Sequence, residues 1–217
     1  GANSFFVLTS EKLVCYNSWG KIKWESKEVN DGSNFSVSKS GEIILSNKNN
    51  LQLLDRFGDL MSEIVLDSDI LSISQSGMNK VALTNNTLNI FQNPNEVNNI
   101  VVKNYTNIYC SEDSIMATSK EKLTSFSYSG SELWSKDFDV KNFNFSNQGI
   151  KHVFIRDSNN LVSQDRNGDV LWEYHSRENF DGVSVIDSGQ MVGIFSNQAF
   201  HVVDNTGQQA WSYQARE

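Results

Sequence analysis

The sequence predicts an all-β fold, specifically a six-bladed β-propeller built from four-stranded antiparallel blades. Two markers repeat in one phase, and the segments between them read as short strands. The first marker is a four-residue turn whose last residue recurs at intervals of 38, 37, 35, 38 and 39 residues. These turn tetrads are 17–20, 55–58, 92–95, 127–130, 165–168 and 204–207. A unit of this length cannot bury its apolar faces alone, and repetition around an axis covers them.

A tryptophan follows four of the tetrads, each time four residues after the final glycine. These residues are Trp24, Trp134, Trp172 and Trp211. The second and third units carry Ser62 and Asn99 at that place. The second marker is a small residue that separates two short apolar runs within each of the second to sixth units, at Gly41, Gly77, Ser114, Gly149 and Gly189. Two independent markers in the same phase indicate a structural repeat along the whole chain.

Each unit contains four strand-like runs, most clearly the second, where they are 35–38, 42–46, 51–54 and 60–66. The runs are rich in Val, Ile and Phe and are bounded by Gly, Asn and Ser, which is typical of strands. No capped apolar stripe with a helical period occurs, so we expect almost no helix. We treat 1–217 as a single domain. Its blades are placed at about 4–29, 30–66, 67–103, 104–138, 139–175 and 176–215.

The first unit differs from the others at its start. Phe5 to Leu8 aligns with Glu42 to Ser46, which is the second run of the next unit. The first blade is therefore predicted to lack its innermost strand, and an unpaired strand edge is a liability that proteins usually cover.

The innermost runs alternate small polar and large apolar residues. Ser36 and Ser38 alternate with Phe35 and Val37, and the third and fifth units repeat the pattern. Because both faces of a propeller blade meet neighbouring blades, small residues on one face can receive large ones from the next blade. The alternative is a channel lined by these polar groups for a ligand.

The pattern Asp/Asn-x-x-Gly-x-x-x-Trp, as in 165–172 and 204–211, resembles the quinoprotein-type (PQQ-like) propeller repeat. The resemblance spans the chain and implies that Trp24, Trp134, Trp172 and Trp211 dock against the adjacent blade. The Gly-His and Trp-Asp signatures of WD40 repeats are missing, which makes that repeat the second choice. Quinone-dependent dehydrogenases of the family have eight blades, a calcium site and often adjacent cysteines. This chain has six units and no Cys-Cys, so we assign it to a non-catalytic branch without a cofactor.

Composition excludes several function classes. The net charge is −8 and no basic stripe occurs, which argues against nucleic-acid binding. Cys15 and Cys110 are too few for a disulfide framework, and we expect two buried thiols. No apolar run is long enough to cross a membrane. The chain begins Gly1-Ala2-Asn3, so we expect a segment of a longer protein and favour an extracytoplasmic or cell-surface location, with any anchor outside the segment.

No catalytic constellation is visible in the sequence. His152, His175 and His201 fall at different strand positions without metal-ligand spacing, and structural roles are favoured for them. No nucleophile elbow, phosphate loop or EF-hand loop occurs. We therefore nominate no catalytic, cofactor-binding or metal-binding residue. A propeller hydrolase or lyase stays open as the less favoured alternative.

Two surfaces are candidate interaction sites. The loops between an outer strand and the next inner strand form a predicted acidic face, with Asp137 and Glu178 beside its main members Asp31, Asp67, Asp69, Asp139 and Asp181. Like charges over a concavity attract a cation or a basic partner, and the competing explanation is a solvated loop face in an acidic protein.

On the opposite side, Trp19 and Phe57 stand just before the glycines of the first two tetrads. Aromatic residues at adjacent turn tips predict a docking patch, whereas the competing interpretation folds each ring back over its own blade. The sequence therefore favours a non-catalytic interaction or scaffold domain, whose partner is a protein or another domain of the same protein. The alternative is a ligand- or cation-sensing ectodomain.

Overall fold

The computed structural model describes residues 4–26, 29, 33–93, 96–137, 140–145, 151–185 and 189–214. In these residues all regular structure is β-strand, as the sequence predicted. The chain divides into two compact halves, Gly1–Cys110 and Ser111–Glu217, which are described separately as the N-terminal half and the C-terminal half.

The N-terminal half contains β1 (Ser4–Leu8), β2 (Leu13–Asn17), β3 (Ile22–Ser26), β4 (Asn34–Val37), β5 (Ile43–Asn47), β6 (Asn50–Leu54), β7 (Leu60–Val65), β8 (Ile70–Ser76), β9 (Asn79–Thr84), β10 (Thr87–Asn93), β11 (Glu96–Val101) and β12 (Asn107–Cys110). The C-terminal half contains β13 (Ile115–Thr118), β14 (Lys122–Phe126), β15 (Glu132–Asp137), β16 (Val140–Phe145), β17 (Lys151–Arg156), β18 (Asn160–Asp165), β19 (Val170–His175), β20 (Phe180–Val185), β21 (Met191–Ser196), β22 (Ala199–Asp204) and β23 (Gln209–Gln214).

The described strands form six sheets in sequence order, numbered 1 to 6 from β1-β2-β3, β4-β5-β6-β7, β8-β9-β10-β11, β12-β13-β14-β15, β16-β17-β18-β19 and β20-β21-β22-β23. The strand registers resolved in all six are antiparallel. Each sheet lies within one of the six predicted blade segments. Among the described residues, sheet 1 has three strands and each of the others has four, in agreement with the three-stranded first blade that the sequence predicts.

The core lies between neighbouring sheets. Alternate residues of β5 point to opposite faces, so Ile43 and Leu45 pack with Leu13 of sheet 1, whereas Ile44 packs with Ile73 of sheet 3. Sheets 5 and 6 share a corresponding hydrophobic cluster in the C-terminal half. A strand buried on both faces needs a nearly continuous apolar run, which is what 43–45 provides.

The turn tetrads are hydrogen-bonded β-turns. In each described tetrad the glycine N–H donates to the first residue's carbonyl oxygen at 2.9–3.2 Å. Where that first residue is Asn or Asp, its Oδ1 also accepts two backbone N–H groups at 2.8–3.1 Å, those of the third residue and of the residue after the glycine. This Asx geometry fixes the backbone of the turn tip. The third tetrad ends at positions 94 and 95, which lie outside the described residues.

Tryptophans pack against the tetrad glycine of the next sheet in three places. A Cβ added to Gly58 would lie 2.7 Å from Trp24 Cδ2, and one on Gly168 would lie 2.8 Å from Trp134 Cδ2. The third contact joins Trp172 to Gly207. These are the contacts that a blade-docking role requires. Trp211 differs, because it is half-exposed and its ring packs at 5.4 Å from that of Phe200 in its own sheet.

Two of these indoles also make a hydrogen bond across the sheets. Trp24 Nε1 donates to the Arg56 carbonyl oxygen at 3.2 Å, and Trp134 Nε1 donates to that of Arg166 at 2.8 Å. Trp172 Nε1 is buried, and no described residue accepts a hydrogen bond from it. The same repeat position is therefore satisfied by packing alone in one case and by packing plus a hydrogen bond in the others.

Two serines of the inner strand β8 accept backbone N–H groups of the neighbouring inner strand β12. Ser72 Oγ accepts the N–H of Ile108 at 3.2 Å, and Ser74 Oγ accepts the N–H of Cys110 at 2.8 Å. These bonds tie β8 to β12. Ser72 and Ser74 of the third unit thus have a structural role between sheets, through hydrogen bonds that the sequence did not predict.

The substitutions Trp134→Phe and Trp172→Phe form a matched pair that tests the hydrogen bond. Both remove the same part of the ring, but only the first leaves the Arg166 carbonyl without its donor. We expect W134F to cost about 1–2 kcal/mol more unfolding free energy than W172F. Urea denaturation of both variants measures the difference, and equal losses would show that the Trp134 bond contributes nothing.

Candidate functional site

The strongest candidate surface is formed by the first two turn tips, where Trp19 and Phe57 project into solvent. Trp19 is 84% exposed and Phe57 is 59% exposed. Their backbones are held by the side chains of Asn17 and Asp55, which accept the N–H groups of Trp19 at 2.9 Å and Phe57 at 2.8 Å. The exposures contradict the interpretation in which each ring folds back over its own blade. We call Trp19 and Phe57 the aromatic tips.

Trp24 links the two turns that carry the aromatic tips. It lies on β3, directly after the first turn, and its indole donates to the Arg56 carbonyl oxygen within the second turn. The Arg56 guanidinium carbon in turn lies 4.7 Å from the centroid of the Phe57 ring, a cation–π distance. The second tip is therefore positioned against sheet 1.

A cavity of about 520 Å³ lies beside this second turn, between sheets 1 and 2. Its walls are Ser4, Phe6, Cys15, Lys23, Val37, Ser38, Lys39, Ser40, Gly41, Arg56 and Phe57. Among these lining residues of the described part of the chain, three side chains are cationic, three carry an aliphatic hydroxyl, and none is acidic. We call this space the cationic cavity.

Sequence reasoning did not find the cationic cavity. Lys23 comes from β3, Lys39 from the turn between β4 and β5, and Arg56 from the second tetrad, so no local motif groups them. The available signal was the missing inner strand of the first unit, which leaves space beside β1. In a chain of net charge −8, three cations around one opening are unexpected.

The predicted acidic face is only partly described. Asp31 and Asp139 lie outside the described residues. In the N-terminal half, Asp67 and Asp69 are exposed in the connection from β7 to β8. In the C-terminal half, Asp181 is exposed but is the second residue of β20 rather than part of the preceding loop. The proposed gathering of these carboxylates on one face stays a prediction.

Asp137 and Glu178, the neighbours of the acidic face, have different surroundings. Asp137 is the exposed last residue of β15. Glu178 accepts the hydroxyl of Ser196 at 2.8 Å and lies 4.0 Å from His201 Nε2. Glu178 and Asp181 both line an open cavity of about 490 Å³. Within the described part of the chain, no three His, Cys, Asp or Glu side chains group as a metal site would need.

The three histidines lie apart from one another in the C-terminal half of the chain. His152 is buried on β17 with its ring 6.1 Å from that of Trp134. His175 is exposed on β19, and His201 lies on β22 with Nδ1 at 3.3 Å from Gln209 Oε1. Both cysteines are buried, as predicted, and neither forms a disulfide. In the described residues no helix is long and apolar enough to cross a membrane.

Burial lowers the pKa of His152 to about 4, although Asp165 opposes the shift. Between about pH 6.5 and 4 the unfolded chain binds a proton that the folded chain does not. Stability therefore falls as the pH drops through this window, by up to about 1.4 kcal/mol per pH unit and about 3 kcal/mol in total. Substituting His152→Gln removes this dependence.

We expect the stability difference between the wild type and H152Q to shrink by about 3 kcal/mol from pH 7 to pH 4, because only the wild type loses the histidine contribution. Denaturation in urea at several pH values measures it. The His175→Gln variant, which loses an exposed histidine and keeps His152, is the control. Parallel curves for the wild type and H152Q would contradict the assignment.

Comparison with known proteins defines the fold but no family. No family model and no curated protein matches the chain. Among solved structures, KlHsv2 with loop 6CD replaced by a Gly-Ser linker matches with a TM-score of 0.80 at 13% identity, over 99% of this chain and 78% of that one. Kluyveromyces lactis Hsv2p matches with a TM-score of 0.76 at 14% identity, over 94% and 71%.

The β-propeller domain of Myceliophteria thermophila Cps50 (Swd1) matches with a TM-score of 0.77 at 10% identity, over 100% of this chain and 83% of that one. At these identities the likeness concerns the fold alone. It does not bear on the quinoprotein-type repeat, which stays a prediction. The all-β chain with its six antiparallel sheets thus has the fold of β-propeller proteins.

Proposed function

We propose that this chain is a six-bladed, non-catalytic β-propeller domain that binds a protein partner through the aromatic tips and the adjacent cationic cavity. The observation that carries the proposal is the exposure of Trp19 and Phe57 on turns whose backbones are fixed. Large aromatic side chains contribute more binding energy than other types when a partner buries them, and they are enriched at interaction hot spots.

The rigidity of the two turns supports a binding role. Each tip is held by two Asx hydrogen bonds, and the second is also fixed through the Trp24 contact with Gly58. A partner that docks here does not have to order the backbone, which lowers the entropic cost of binding. In the ordinary case a turn tip carries small or polar residues, as Asn167 and Thr206 do in the fifth and sixth units.

The surroundings of the tips supply the polar component of an interface. Arg56 lies against the Phe57 ring, and Lys23 and Lys39 line the cavity beside it. An aromatic anchor with a charged rim is the usual composition of a protein-binding surface. The partner we propose is a separate protein or another domain of a longer chain, in an extracytoplasmic or cell-surface setting.

Photo-crosslinking tests the proposed surface. Benzoylphenylalanine is placed at position 19, 57 or 101 of the full-length protein in cells of the source organism, and adducts are identified by mass spectrometry. Val101 is the control, because it is 79% exposed on β11 and belongs to the same half of the chain. We expect the same adduct at positions 19 and 57, and none above background at 101. Equal yields at all three positions would contradict the proposal.

Once a partner is identified, serine substitution separates binding from stability. Trp19→Ser or Phe57→Ser should each weaken binding about 30-fold, the loss expected for a hot-spot aromatic. Because both rings are exposed, the unfolding free energy should change by about 0.5 kcal/mol or less. The matched Val101→Ser variant should alter neither quantity.

A further inference from the structure

We propose that the chain associates head to tail with a second copy of itself, through sheet 6 of one copy and sheet 1 of the other. Trp211 of one copy docks on the turn that ends at Gly20 of the second copy. The inference concerns the faces of two sheets, so it goes beyond the proposed function, which concerns the turn tips. It depends on three observations: a recurrent contact between sheets, an exposed aromatic face on sheet 6, and an uncovered turn glycine on sheet 1.

The recurrent contact joins two different kinds of sheet face. We call the face that carries the tryptophan the front face, and the face that carries the turn glycine the back face. The front face of sheet 5 packs on the back face of sheet 6, where a Cβ added to Gly207 would lie 3.0 Å from Trp172 Cγ. Beside this contact, Leu161 of sheet 5 shares a hydrophobic cluster with Ile194 and Val203 of sheet 6. Apolar side chains around a tryptophan and a glycine opposite it are therefore the two halves of the contact.

The front face of sheet 6 is aromatic and exposed. The strand registers place Phe195, Phe200 and Tyr213 in one row of this face. The ring of Trp211 lies beside that row, 5.4 Å from the ring of Phe200. Phe195, Trp211 and Tyr213 are 48–63% exposed. In sheet 5 the place of Phe200 is held by Leu161, which is fully buried. A contiguous patch of exposed aromatic side chains marks an interaction surface.

The back face of sheet 1 presents the complementary half of the contact. Gly20 has a φ of +74°, but a Cβ built on it would meet no atom of a described residue within 4 Å. By the 38-residue repeat, the same face carries Phe5 and Tyr16, whose rings stack with centroids 5.0 Å apart. Phe5 corresponds to Ile43, which is fully buried in the cluster that the back face of sheet 2 shares with sheet 1. Phe5 itself is 47% exposed.

A second copy is the occupant that these two faces specify. Each chain carries one exposed front face with a tryptophan and one back face with an uncovered turn glycine. Docking of the two faces continues, between copies, the interface that sheets 5 and 6 already form within the chain. Aromatic side chains bury a large apolar area, which favours the association. Because the two faces differ, the contact is heterologous, and association can continue beyond a dimer.

Sedimentation velocity over a series of chain concentrations tests the proposal. We expect the mean mass of the wild type to rise with concentration and to pass that of a dimer. Trp211→Ser removes the docking ring, and Gly20→Ala places a methyl group where the indole must lie. Each should weaken association at least about tenfold. A wild type that stays monomeric at every concentration would overturn the proposal.

Each variant has a matched control. Leu133→Ser also replaces a half-exposed apolar residue of an outer strand in the same half of the chain as Trp211. Gly77→Ala also adds a methyl group to a glycine of positive φ, +58°, whose Cβ would meet nothing within 4 Å among described residues. Both controls should change the association constant by about twofold or less. Urea unfolding verifies that each variant is folded, and Gly20→Ala tests the contact independently if Trp211→Ser proves unstable.

Mixing the two variants identifies the head-to-tail arrangement. W211S retains Gly20 and G20A retains Trp211, so the mixture contains one intact pair of faces. We expect the mixture to form a dimer that grows no further, with a dissociation constant within about threefold of the wild-type contact. If G20A associates like the wild type while W211S does not, two front faces are in contact and the proposal is wrong. A mixture of folded variants that stays monomeric would also overturn it.

The outcome is separable from that of the proposed function. Phe57 lies on the second turn, outside the proposed contact between copies. If position 57 still crosslinks a different protein while the chain stays monomeric, this inference fails and the proposed function stands. If the mixture of variants forms the expected dimer while position 57 crosslinks nothing, this inference stands and the proposed function fails.

Discussion

The contact between a tryptophan and a glycine of the next sheet is the constraint on which the rest of the structure depends. Gly58, Gly168 and Gly207 have φ values of +81° to +86°, a region that residues with a side chain rarely adopt. The same glycines have no space for a Cβ, because an indole occupies it. The glycine therefore serves twice, once for the turn and once for the packing. In the three places where it occurs, this contact sets the spacing between neighbouring sheets and explains why turn and tryptophan keep one phase.

The candidate site follows from the place where this repetition is incomplete. In the described residues, sheet 1 carries the tryptophan that docks on sheet 2 but has no inner strand, so the space between these two sheets is only partly filled. The cationic cavity occupies that gap, and the aromatic tip at Phe57 stands at its rim. A repeat protein presents similar surfaces many times, so a local departure from the repeat is where a distinct binding surface can arise.

The sequence predicted the features that depend on local pattern. The tetrads, the strand segments and the three-stranded first sheet follow from residue type and spacing. Features that depend on three-dimensional proximity could not be read in this way. Lys23, Lys39 and Arg56 come from separate elements, and nothing in the local pattern distinguishes Trp134, whose indole is hydrogen-bonded, from Trp172, whose indole is not. Asp181 was placed one element too early, because strand limits are the least certain part of a pattern.

A double-mutant cycle at Gly58 and Trp24 tests the central contact most directly. The variant Gly58→Ala is compared in the Trp24 background and in the Trp24→Ala background by urea unfolding, with Gly20→Ala as the reference, because a Cβ at Gly20 would meet nothing within 4 Å. We predict that G58A costs about 1–3 kcal/mol more than G20A when Trp24 is present. This excess should disappear when Trp24 is replaced by alanine. An equal cost of G58A in both backgrounds would contradict the account.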